Sequence, residues 1–141
     1  MKKAITSAVA AVLLLALCLC LGACNTVKKT GLWEEATYLS DQTLGTGKKT
    51  ITVEVTAEEQ TVTFTVKTDC DTVGAALLDL GLIDGDQGPY GIYIKKVNGI
   101  TADYDVDQTY WTFYVNGEMS MSGADMTAID ESAVYRFAHA R

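Results

Sequence analysis

Residues 49–67 read KTITVEVTAEEQTVTFTVK, and this stretch decides the fold. On both sides of the connection Ala57-Glu58-Glu59-Gln60, β-branched and aromatic residues alternate with threonine, glutamate and lysine. An alternation of period two is typical of a strand with one face on the core and one face in water. The stretch therefore predicts a β-hairpin whose outer face is rich in threonine.

A short helix is predicted directly after this hairpin. Asp71 or Thr72 is a suitable N-cap, and Gly81 suits the C-terminal end. Between them runs one apolar stripe, as expected for a helix that covers a sheet. The stripe consists of Val73, Ala76, Leu77 and Leu80.

Three further strands are predicted after the helix, at residues 90–97, 109–115 and 133–138. A turn-rich loop (84–89) precedes the first of them and an acidic connection (101–108) precedes the second, which Asn116-Gly117 closes with a strong tight-turn signal. The order of hairpin, helix and three strands predicts a β-grasp-like α+β domain at residues 49–141. Its helix packs on one mixed sheet of about five strands. An immunoglobulin-like sandwich is the alternative, but it has no place for the helix.

The N-terminal segment resembles a lipoprotein signal peptide over residues 1–23. Lys2 and Lys3 precede an uncharged apolar stretch, and Leu21-Gly22-Ala23 stands before Cys24 in the pattern of a bacterial lipobox. The pattern predicts cleavage before Cys24, acylation of its thiol, and a position on the outer side of the cell membrane. A retained membrane-spanning helix is the alternative, since the stretch is near the length that spans a bilayer.

Residues 24–48 are interpreted as a flexible, lipid-anchored tether. They are rich in threonine, glycine, lysine and glutamate and have no sustained apolar period. Leu32 and Trp33 interrupt the segment, and the sequence leaves open whether they dock on the domain.

The cysteines exclude a disulfide framework within one chain. Cys18 and Cys20 leave with the signal peptide and Cys24 is acylated, so Cys70 remains alone. Cys70 is interpreted as a small buried hydrophobic residue. A reactive thiol is the alternative, which the neighbouring aspartates disfavour because negative charge raises a thiol pKa.

The charge of the chain argues against a nucleic-acid partner. The full sequence has a net charge of −7, and loss of Lys2 and Lys3 leaves 9 basic and 18 acidic residues. Nucleic-acid binding needs a basic surface. We therefore expect attachment to the membrane through the acyl chains on Cys24 rather than through the acidic domain.

The sequence predicts no catalytic or metal site, so we expect a protein that is not an enzyme. His139 is the one histidine and stands near the C-terminus, which disfavours a catalytic triad or a Cys/His metal cluster. Calcium in the loop of Asp84 and Asp86, or in the acidic connection 101–108, is the alternative for the acidic residues. Neither stretch has the EF-hand pattern.

Aromatic residues and methionines are the remaining candidates for binding. In strand 109–115, Trp111, Phe113 and Val115 share one face, which we assign to the core. The opposite face, together with nearby loops, could form an adaptable apolar contact surface or simply cover the sheet. The candidate ligand- or partner-binding residues are Tyr90, Tyr104, Tyr110, Tyr114, Met119 and Met121.

Residues 50–138 resemble the transcobalamin-like C-terminal domain of many bacterial surface lipoproteins. The resemblance rests on three aromatic stretches. These are YGIYI with VNG (90–99), YWTFYVNG (110–117) and YRF (135–137). It implies a β-grasp-like fold, which in the animal transport proteins closes over cobalamin opposite a larger helical domain that this chain lacks. The chain also departs from the family at 129–132, where Ile-Asp-Glu-Ser replaces the usual Asp-Gly-Asp turn.

These observations predict a surface-tethered, non-enzymatic binding lipoprotein. The resemblance implies capture of cobalamin or another corrinoid, or docking on a partner that handles one. The alternative is a structural or adhesion module of the cell envelope that contacts another protein by strand addition.

Overall fold

The structure is a computed structural model that describes residues 25–141. The signal peptide, its cleavage motif Leu21-Gly22-Ala23 and the acylation site Cys24 lie outside the described residues. Within residues 25–141, none of the helices has the length and apolar character needed to cross a membrane. The described chain is a mixed α+β domain with one six-stranded and one three-stranded sheet.

The hairpin predicted from residues 49–67 lies within the larger sheet. Strand β2 spans Lys49–Ala57 and pairs antiparallel with β3 (Gln60–Thr68). Glu58 and Glu59 form the two-residue turn with φ values of +48° and +64°. Such a turn matches the right-handed twist of the strands, although it places two non-glycine residues in the left-handed region.

Four other strands complete the larger sheet. They are β1 (Gln42–Gly45), β7 (Tyr110–Val115), β8 (Glu118–Met119) and β9 (Val134–Ala140). The strand order is β1-β3-β2-β9-β7-β8, with β1 parallel to β3 and β9 parallel to β2. The sheet is therefore mixed, as predicted, and β7 lies near one edge.

The prediction of one sheet of about five strands is wrong: residues 84–88 form a strand instead of a loop, and the strand that follows pairs with it in a second sheet. Strand β4 (Ile83–Gly88) pairs with β5 (Gly91–Val97), and β5 pairs with β6 (Ile100–Thr101) in a separate sheet. The glycine and aspartate content suggested a turn. Gly85 instead allows close strand pairing, since a Cβ there would collide with the carbonyl of Tyr93.

Helix α1 (Val73–Asp79) begins and ends where the sequence predicts. The Thr72 hydroxyl accepts a hydrogen bond of 3.2 Å from the Ala75 amide, which caps the first turn. Gly81 follows with a φ of +67°, as glycines after helices commonly do. Val73 and Leu77 are fully buried in the same core as the inward residues of β2 and β3.

Residues 25–48 differ from the predicted flexible tether, because they pack on the domain. Trp33 lies in a 3-10 helix (Gly31–Glu34), is fully buried, and donates a hydrogen bond of 2.9 Å to the Ala57 carbonyl. The segment then supplies β1 to the sheet. One buried tryptophan gives no periodic pattern, and this explains why the sequence did not predict that residues 25–48 pack on the domain.

Asn98 holds the same segment through a second set of contacts, at Thr37 and Tyr38. Its side chain is buried and exchanges two 2.9 Å hydrogen bonds with the backbone N–H and carbonyl of Tyr38. The Thr37 amide donates to the Asn98 carbonyl at 2.8 Å. A buried polar side chain of this kind stabilises a unique arrangement because leaving it unpaired is costly.

Candidate functional site

The two faces of β7 have the characters that the alternation predicts. Trp111, Phe113 and Val115 pack against the core, and the Phe113 ring stacks on that of Phe137 at 5.0 Å between centroids. Tyr110 and Tyr114 are on the opposite face, which also carries the threonines of β2 and β3. Successive side chains of a strand point to opposite faces, so the tyrosines lie on the outer surface of the sheet.

A row of side chains crosses this outer face at the level of Tyr114. Met119 is paired with Tyr114, Tyr114 with Arg136, and Arg136 with Glu54. The Arg136 guanidinium lies 5.3 Å from the centroid of the Tyr114 ring, and its Nε is 3.8 Å from the Glu54 carboxylate. We call Glu54, Arg136, Tyr114 and Met119 the outer row.

Arg136 and Glu54 were absent from the sequence-predicted site. Arg136 alternates with Tyr135 and Phe137, which are buried, so its position on the outer face follows from the period of the strand. Its pairing with Tyr114 required the strand order of the sheet. The Arg136 Nε is buried and has no hydrogen-bond partner within residues 25–141. The outer row therefore contains a buried donor without a hydrogen bond.

Tyr104 and Tyr110 form a second aromatic pair. Tyr104 is in the short helix α2 (Tyr104–Asp107), whose first turn is capped by the Asp103 carboxylate. The two ring centroids are 6.4 Å apart, and the side chains are 54% and 36% exposed. Tyr110 and Tyr114 are on the same face of β7, about 13 Å apart along the strand.

The other two predicted residues lie elsewhere. Tyr90 is 95% exposed in the turn between β4 and β5, where it borders a cavity of about 280 Å³. Met121 is fully exposed beyond β8. Four of the six candidate residues are thus on or beside β7, whereas Tyr90 is in a turn of the smaller sheet and Met121 lies beyond β8.

Lys95 lies between the two acidic stretches that were considered for calcium. Lys95 Nζ is 2.8 Å from the Asp86 carboxylate and 3.7 Å from that of Asp103. The hydrogen bond to Asp86 raises the pKa of Lys95 above its usual value, so the ammonium is charged at neutral pH. No group of three metal-binding side chains is present in residues 25–141. The ammonium occupies the space between the carboxylates where a cation would sit.

His139 is packed edge-on against Trp111, with 5.4 Å between ring centroids. Burial lowers the pKa of His139 below its usual value, and its Nε2 has no partner within the described chain. The imidazole borders a cavity of about 330 Å³ that Glu58 and Asp107 also line. Hydrogen bonds from the Thr109 hydroxyl and amide hold the pKa of Asp107 below its usual range.

Cys70 is partly buried and borders a larger cleft of about 540 Å³. This cleft lies between the ends of β1 and β3 and helix α1. The Cys70 amide donates to the Thr68 hydroxyl at 3.0 Å, and its carbonyl accepts from Lys49 Nζ at 2.9 Å. Cys70 is thus less buried than the small core residue that the sequence analysis favoured.

Fold and surface together define a class: a small one-core α+β domain with an exposed tyrosine- and methionine-bearing sheet face. A family model described as "Domain of unknown function (DUF4430)" matches residues 71–133. A crystal structure from Ruminococcus gnavus, described as a "putative metal binding protein", is 30% identical with a TM-score of 0.62. The match covers 67% of this chain and 98% of that protein. This chain therefore belongs to the same family as the R. gnavus protein.

Haptocorrin in complex with Cbi is also similar in structure, with a TM-score of 0.51 and 18% identity. The match covers 66% of this chain and only 25% of haptocorrin. At this identity the likeness shows a common fold over the matched parts of the two chains, which agrees with the transcobalamin-like resemblance of residues 50–138. The comparison with curated proteins found no match.

Proposed function

We propose that this chain is a lipid-anchored binding protein on the outer side of the cell membrane, without catalytic activity of its own. The anchor is Cys24, after cleavage that follows Leu21-Gly22-Ala23. The observation that carries the binding role is the outer face of β7. It presents tyrosine and methionine beside an arginine, as adaptable contact surfaces do.

A corrinoid is the ligand that we propose. The fold shared with haptocorrin, which was crystallised with Cbi, supports this choice. The R. gnavus relative is described in terms of metal binding. A corrinoid carries its own cobalt, so it needs no cluster of metal-binding side chains, and residues 25–141 contain none. Flat aromatic side chains can contact the macrocycle or its side groups.

Titration of the purified, detergent-solubilised lipoprotein with cobinamide and cobalamin tests this proposal. We expect heat release and a change in the visible spectrum, with at least about tenfold weaker binding for Tyr114→Ala, which corresponds to about 1.4 kcal/mol. Tyr93→Ala is the matched control, because Tyr93 is 45% exposed on the other sheet. No signal at high micromolar concentration would remove the corrinoid from the proposal.

Protein docking by strand addition is the second candidate, favoured by the shape of the sheet edge. Strand β8 pairs only with Tyr114 and Val115, so Tyr110–Thr112 have no hydrogen-bonded strand on that side within the larger sheet, although β5 of the other sheet approaches β7. The Phe113 carbonyl faces this side, since it accepts from the Ser120 amide at 2.9 Å. By alternation, the N–H and carbonyl of Trp111 face the same side.

Hydrogen exchange distinguishes the two candidates. A strand-adding partner would slow exchange of the Trp111 amide, because this group would gain a backbone hydrogen bond. A corrinoid on the outer face would leave the Trp111 amide unchanged. A cell-envelope fraction that captures a protein without protecting this amide would count against strand addition.

A further inference from the structure

The first described residue is fixed to the end of the β2–β3 hairpin. The Asn25 side-chain amide donates to the carbonyl of Thr61, two residues beyond the Glu58-Glu59 turn. The Asn25 carbonyl accepts from the Asp41 amide at 3.1 Å. Both the side chain and the backbone of Asn25 are therefore held by the domain.

The residues after Asn25 are also held against the domain. The Val27 side chain is 7% exposed, and its amide donates to the Leu39 carbonyl at 2.7 Å. The Lys28 amide donates to Gln60 Oε1 at 2.8 Å, and the Leu32 amide to Glu58 Oε2 at 3.0 Å. The contacts of Lys28 and Leu32 are at the turn between β2 and β3, and the contact of Val27 is with the segment packed beside that turn.

Cys24 precedes Asn25 by one peptide bond, which separates their Cα atoms by about 3.8 Å. We propose that the turn end, defined as Asn25, Lys28 and Glu58–Thr61, is a membrane-proximal surface that the acyl chains hold against lipid headgroups. This inference rests on the acylation of Cys24 in the proposed function. In this arrangement one short connection, instead of a flexible tether, joins the domain to its acyl chains, so one end of the domain stays at the bilayer.

The opposite end of the hairpin would then point away from the membrane. Strand β2 has nine residues and is about 30 Å long, so Lys48 lies that much farther from the turn end than Glu59 does. Lys28 and Lys29 balance Glu58 and Glu59 in charge. The contact therefore depends on the covalent lipid and not on anionic headgroups, whose attraction needs a basic cluster.

Depth-dependent fluorescence quenching tests this arrangement. The acylated full protein carries one thiol label at Glu59→Cys or at Lys48→Cys, each in a Cys70→Ser background, since acylated Cys24 does not react. Glu59 and Lys48 are both exposed. In phosphatidylcholine vesicles with a nitroxide on the lipid headgroup, we expect several-fold stronger quenching at position 59 than at position 48.

A linker insertion provides the matched control. About 20 Gly/Ser residues between Cys24 and Asn25 give a root-mean-square reach of about 25 Å, so the difference between the two labels should shrink or disappear. Equal quenching without the linker would overturn the proposed orientation. Flotation with the vesicles and the mass of the acylated protein are measured first. A protein that is not acylated overturns the anchor as well, and the two failures are thus distinguished.

Discussion

Replacement of Trp33 by alanine tests whether residues 25–48 belong to the folded unit. The side chain is fully buried, and its Nε1 donates to the Ala57 carbonyl at 2.9 Å. Truncation of a buried tryptophan costs about 3–5 kcal/mol, a value that includes the cavity and the lost contacts. The broken hydrogen bond accounts for about 1 kcal/mol of this cost. We therefore expect Trp33→Ala to lower the free energy of unfolding by about 4 kcal/mol.

Urea unfolding followed by far-UV circular dichroism measures this change, since the signal does not depend on the mutated indole. Trp33→Phe keeps one aromatic ring but removes the donor and part of the buried indole volume, so we expect a smaller loss of about 1–3 kcal/mol. Leu32→Ala is the neighbouring control, because Leu32 is only partly buried. A loss below about 1 kcal/mol for Trp33→Ala would refute the reasoning, since such values are typical of surface positions.

Three further predictions concern the pH dependence and the backbone. Burial lowers the pKa of His139 in the folded protein. The contribution of neutral His139 to stability is therefore complete above the unfolded pKa of about 6.5 and is lost as the pH falls through the folded pKa. Urea midpoints should fall between about pH 7.5 and about pH 5, and they should fall less in His139→Gln. Glu59 has a φ of +64°, so Glu59→Gly should raise the free energy of unfolding by up to about 1 kcal/mol, and a loss would contradict the assigned turn. Gly74→Ala should cost about 1–3 kcal/mol although alanine favours helices, because the added Cβ would be 2.5 Å from backbone atoms of Asp125. At Gly81 an added Cβ meets nothing within 4 Å, so Gly81→Ala carries only the cost of its φ of +67° and should have the smaller effect in thermal unfolding.

The sequence could predict those elements whose stabilising contacts are local. The hairpin of residues 49–67 and the helix capped by Thr72 depend on alternation, a 3.6-residue stripe and a capping hydroxyl, all of which are visible within about 20 residues. The two faces of β7 follow from the same period. Strand β4 was missed because its pairing with β5 depends on backbone hydrogen bonds, and its glycines and aspartates give no apolar alternation.

The rest of the candidate site depends on contacts between distant parts of the chain. Glu54 meets Arg136 only because β9 inserts in parallel beside β2, a pairing that crosses 82 residues of sequence. Lys95 reaches both Asp86 and Asp103 because two hairpin strands bring the acidic stretches together. Charge and spacing in the sequence identified these acidic residues, but they could not reveal that a lysine pairs with one aspartate of each stretch.

The docked N-terminal segment also bears on the proposed role of the chain as an anchored binding protein. A free segment of residues 25–48 would extend up to about 80 Å from the bilayer and would allow the domain to search a large volume. If Cys24 is acylated as we propose, the contact of Asn25 with Thr61 removes that reach, and partners would have to come to the membrane or be membrane-bound themselves. In the proposed orientation, the strands of the hairpin would rise from the bilayer and the outer row would face parallel to its surface. Such an orientation would favour a ligand passed between neighbouring membrane proteins over capture at a distance, because effective concentration is high only within the span of the connection.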